Sequence, residues 1–105
     1  TSRILFSGDI GANFPHQVLP QPVANLAEIL PAMTPFHRRY MASGKVCRYW
    51  VEMVRELDVE TLVPQHGRYL QGREVVVEFL DWFAGLECGI DLAGPSLYRL
   101  PRLEA

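Results

Sequence analysis

A chain of 105 residues has the length of one domain or part of one, since domains most often run to about 100–150 residues, and its 49% hydrophobic and 21% charged content excludes a disordered polymer. Its 10 basic and 12 acidic residues give a net charge of -2, with no basic cluster beyond Arg38 and Arg39, which argues against nucleic acid as a partner. No apolar run approaches the roughly 20 residues that span a bilayer, and residues 1–10 lack the basic start and apolar middle of a secretion signal, so a soluble, cytoplasmic chain without a membrane partner is expected.

The first element is the short apolar run Ile4-Leu5-Phe6, ended by Ser7-Gly8, which reads as a buried strand. From Ser7 to Pro22 the chain carries Gly8, Gly11, Pro15, Pro20 and Pro22, too many breakers for regular structure, so a long shaped loop is expected. Val23 to Leu30 can form a short helix stopped by Pro31 and Pro35. Phe36 to Leu57 reads as a long helix, with Cys47, Trp50, Val51, Val54 and Leu57 at three- and four-residue steps. Thr61-Leu62-Val63 repeats the strand pattern and Pro64 ends it. Gln65 to Gly72 reads as a loop, Arg73 to Leu86 as a second long helix stopped near Gly89, and Ile90 to Ala105 as an irregular tail. The alternation of strand, loop and helix predicts an α/β layered domain. Two strands make a thin sheet beside the usual 4 to 6, so further strands are expected from another segment or another copy.

Ligands of open α/β sheets gather beyond the carboxyl ends of the strands, and two motifs fall there. In Phe6-Ser7-Gly8-Asp9-Ile10-Gly11 the glycines permit turns that aim the Asp9 carboxylate over the strand end. In Val63-Pro64-Gln65-His66-Gly67 an imidazole follows the second strand. A carboxylate oxygen and an imidazole nitrogen together suit zinc or non-haem iron. The plainer alternatives are a loop-closing carboxylate for Asp9 and a backbone-bonded loop histidine for His66. His16 lies in the long loop, where it is either solvated or near the same pocket, and His37, before Arg38-Arg39, reads as a surface residue. Cys47 and Cys88 read as reduced core thiols. No serine or cysteine has an adjacent base in sequence, so no catalytic nucleophile is assigned, and no phosphate-binding glycine loop is present. The aromatic residues, Trp50 and Trp82 among them, read as core.

Taken as a set, Leu5-Phe6-Ser7-Gly8-Asp9-Ile10-Gly11 and Leu62-Val63-Pro64-Gln65-His66-Gly67 resemble the last two metal-ligand motifs of the metallo-β-lactamase superfamily. The likeness is to its di-iron branch, the flavodiiron proteins and the stand-alone oxygen-binding di-iron proteins. The resemblance runs from about Ile4 to Leu92 and implies the C-terminal half of an αββα sandwich, a single partial domain over residues 1–105 that begins at Thr1 and lacks the superfamily's upstream ligand motifs. It implies that Asp9 bridges two metal ions and that His66 ligates one of them.

The function implied is a di-iron domain that binds or reduces dioxygen in the complete protein, with an oxidoreductase as the enzyme class if complete. The isolated chain is expected to be inactive and to bind metal weakly or not at all, because two ligands leave most coordination positions to water. Two zinc ions in a hydrolase of the same superfamily are the alternative, and a non-enzymatic oligomerising module is the third reading. The expected partners are dioxygen or a small-molecule substrate and the remainder of the domain or a second chain, with a homo-oligomer implied by exposed core surface. No flavin site is expected within this chain.

Overall fold

A computed structural model describes residues 3–14, 22–23 and 25–94 of the chain. It shows a mixed α/β arrangement in which a three-stranded sheet, ordered β1-β2-β3, carries three helices. Strand β1, Ile4–Gly8, runs parallel to β2, Thr61–Pro64, and β2 runs antiparallel to the two-residue strand β3, Leu70–Gln71. The helices are α1, Leu30–Tyr40; α2, Gly44–Arg55; and α3, Arg73–Ala84. Both expected strands are present, and the final helix starts at Arg73 as its spacing predicts.

Three expectations are corrected. The Gln65–Gly72 segment is not all loop: Leu70 and Gln71 pair with Leu62 and Thr61 as β3. Two residues are too few for an alternating pattern, so only their pairing makes them a strand. Pro31 and Pro35 do not stop a helix but lie within α1. Pro31 sits in the first turn, where its missing amide would have no partner, and Pro35 removes a single bond from an 11-residue helix. The long helix expected from Phe36 to Leu57 is two. Met41 turns to an extended conformation, and Ser43 caps α2 by accepting the Val46 amide at 3.3 Å.

Helix α3 packs on β2, β3 and α2, burying Phe79 and Phe83 against Leu62, Leu70, Val51 and Val54 in one core. Trp50 meets Phe83 edge-on at 5.6 Å, and Cys47 and Cys88 lie buried as free thiols with their sulfurs 3.7 Å apart. Cys47 is pushed up to about 12, first by burial and then by Cys88. The other face of β1 is exposed: Phe6 is 76% and Ile4 48% accessible, while their β2 neighbours Thr61 and Val63 are half-buried. No helix among the described residues is long and apolar enough to cross a membrane.

Candidate metal centre

Because β1 and β2 are parallel, their carboxyl ends share one edge of the sheet. Gly8 lies opposite Pro64, and the Gln65 amide donates to the Gly8 carbonyl at 2.7 Å. Asp9 is the next residue after Gly8, and His66 the next after Gln65. The fold therefore brings the two candidate ligands to adjoining backbone positions, and both are exposed. Among the described residues no side-chain hydrogen bond or ion pair engages either group. The Phe14 ring lies 5.8 Å from the His66 ring and 5.4 Å from Phe36 of α1.

The backbone beneath the two side chains is tightly held. After β1 the chain turns at once: Ser7 Oγ donates to the Ile10 carbonyl at 2.6 Å, and the Ala12 amide to the Asp9 carbonyl at 3.0 Å. The turn then dips into the core at Gly11, whose φ is +90° and where a Cβ would stand 2.9 Å from Leu62 Cδ2. Glycine alone meets both demands.

Asn13 joins this turn to the His66 loop. It is 1% exposed. Its amide nitrogen donates to the carbonyls of Gly11 and Arg68, both at 3.0 Å, and its Oδ1 accepts the Arg68 amide at 2.9 Å. Its backbone amide donates to the His66 carbonyl at 3.2 Å. Gly67, with φ of +94°, lets the loops approach so closely that an added Cβ would overlap the Asn13 backbone and side chain. Arg68 continues the frame, pairing with Glu28 at 3.1 Å.

His37 corrects the sequence reading most sharply, because it is 0% exposed rather than on the surface. Its Nε2 accepts the Gly11 amide and its Nδ1 donates to the Met33 carbonyl, each at 2.8 Å. The Gly11 bond fixes the tautomer: Nε2 carries the lone pair and Nδ1 the proton. Phe36, Phe79, Trp82 and Phe83 surround the ring. Burial holds its pKa below the ordinary histidine value, against smaller upward effects from the Met33 carbonyl and the Asp9 charge. The signal that finds it is the four-residue step Ile29, Met33, His37, all buried. For Asn13 the sequence holds no comparable signal. His16 lies outside the described residues.

Chemically, the edge offers a hard anionic oxygen and a neutral nitrogen donor on a rigid base, which fits two ligands of an iron or zinc centre. No group of three or more potential ligands gathers among the described residues, which present two candidate donors and no closed cage.

A family model described as "ODP family beta lactamase" matches residues 1–67. Two similar solved structures are "Peroxy diiron species of chemotaxis sensor ODP", TM-score 0.79, and "Apo state of chemotaxis sensor ODP from T. denticola", TM-score 0.81. Each is 47% identical to this chain and covers 87% of it, while the chain spans 37% of theirs. No curated protein matches.

Proposed function

Because the chain belongs to the ODP family of β-lactamase-like proteins, we propose that Asp9 and His66 are two ligands of a di-iron centre that binds dioxygen in the complete protein. The observation that carries this reading is their placement. Two uncommitted donor side chains, 57 positions apart in sequence, leave adjoining strand ends whose backbones are cross-bonded, in a chain 47% identical to a protein solved as a peroxy diiron species. The Asp9 carboxylate supplies the anionic oxygen able to bridge two cations, and His66 supplies a neutral nitrogen. The Asn13 bonds hold both loops still, so ligand geometry does not have to be ordered when metal arrives. An iron pair held there would supply the open coordination positions that oxygen binding requires.

The exposed face bearing Ile4 and Phe6 is the surface that further ligand-bearing structure, from the remainder of the domain or a second chain, covers. In isolation the chain holds metal weakly.

In the full-length protein, Asp9→Asn and His66→Ala are expected to lower bound iron, measured by elemental analysis of the purified variants. Unchanged stoichiometry in both would refute the ligand assignment. Full zinc occupancy with hydrolytic turnover and no redox-active iron would transfer the assignment to a zinc hydrolase.

A further inference from the structure

We infer that His37 is a positioning residue of the metal corner: an imidazole that never touches metal but sets the Asp9 loop through the Gly11 amide. The inference rests on the proposed role of Asp9 as a ligand. Gly11 lies two residues beyond Asp9, at the point where the turn enters the core. Its buried amide has one acceptor, His37 Nε2, at 2.8 Å. A histidine 0% exposed amid four aromatic rings contributes little to packing that phenylalanine would not, so what it adds here is its two hydrogen-bonded ring nitrogens. One is spent on the Met33 carbonyl, which orients the ring, and the other faces the loop. This is the arrangement in which a group outside the coordination shell governs where a ligand stands.

Helix α1 reaches the same loops at two further points. The Phe14 amide donates to the Ala32 carbonyl at 3.1 Å, and Phe36 packs on Phe14, which lies beside His66. The helix therefore acts as a rail for both ligand loops, with His37 as its polar contact to the Asp9 side.

The test uses side-chain length. A glutamine amide reaches the position of Nε2 and keeps an acceptor for Gly11; asparagine, one methylene shorter, reaches only the position of Nδ1; phenylalanine fills the space with no acceptor. In the full-length protein, His37→Phe and His37→Asn are expected to weaken iron(II) binding by about 10- to 100-fold, with faster hydrogen exchange at the Gly11 amide, whereas His37→Gln restores both. Should His37→Phe fail to fold, the Asn and Gln pair decides through hydrogen exchange at the Gly11 amide, since the space left by the smaller asparagine lowers stability generally, whereas a lost acceptor speeds exchange at Gly11 beyond that of its buried neighbours. Iron affinity equal in the Gln and Asn variants, with Asp9→Asn still defective, overturns the role of His37 and leaves the ligand reading standing. Unchanged binding in Asp9→Asn overturns the ligand reading, and the inference with it.

Discussion

Asn13 ties the two loops together through three side-chain hydrogen bonds. Both protons of its amide and one lone pair of its oxygen are used across the two ligand loops, in a setting from which water is excluded. Asn13→Ala removes the three bonds that the Gly11 carbonyl and the Arg68 backbone make to this side chain. A buried polar group left unpaired costs about 1–3 kcal/mol, so a loss of about 2–4 kcal/mol of unfolding free energy is expected for the variant by urea titration. His37 gives a separate signature through pH. Burial lowers its folded-state pKa, so the unfolded chain takes up the proton first. The stabilising contribution is complete above about pH 6.5 and is lost as pH falls from there through the folded value. Stability measured from about pH 7.5 to about pH 5 should therefore fall more steeply in the native protein than in His37→Gln, which has no ring to charge. Parallel profiles would show that His37 is not held neutral by the fold.

At the scale of elements, the break between α1 and α2 is where sequence and structure part. Ser43 caps α2 through a bond of 3.3 Å at an exposed position, and Ser43→Ala is expected to cost about 0.5–1 kcal/mol, at the low end for a cap, measured as a shift in thermal unfolding. A larger loss would mean that the Ser43 to Gly89 bridge also depends on the hydroxyl. The break was hard to read because apolar residues recur at helical steps on both sides of Met41–Ser43, and periodicity alone does not reveal a short extended link. Strands β1 and β2 were legible because each is an apolar run ended by a glycine or proline, and those same ends exposed Asp9 and His66 as candidates. The support beneath them was not legible. Asn13 acts on residues up to 55 positions away, and His37 beside two arginines has the local look of surface until its step from Met33 is counted.

For the whole molecule, the sheet is unequally covered. The face bearing Leu62 packs on α3, while Phe6 on the opposite face is 76% exposed and β1 forms the edge of the sheet. An apolar face next to an open edge favours association. The isolated 105-residue chain is expected to self-associate in sedimentation velocity, and Phe6→Asp to shift it toward monomer. A native chain that sediments as a well-folded monomer at all concentrations would show that the bare face needs no cover.

The bonds between Asn13 and Arg68 also bear on time. They close a span of 55 residues in which α1 and α2 must already be placed, and contacts of such separation are slow to form compared with helical turns. The joined Asp9 and His66 loops are then expected to assemble after the helices, as part of the pairing of β1 with β2. Replacing Asn13 should accelerate unfolding in stopped-flow measurements while leaving the refolding rate nearly unchanged, the pattern of a contact absent from the transition state. A newly made chain would pass through an interval with its helices formed and its ligand loops still apart, so iron delivered early would find Asp9 and His66 as separate, weak donors.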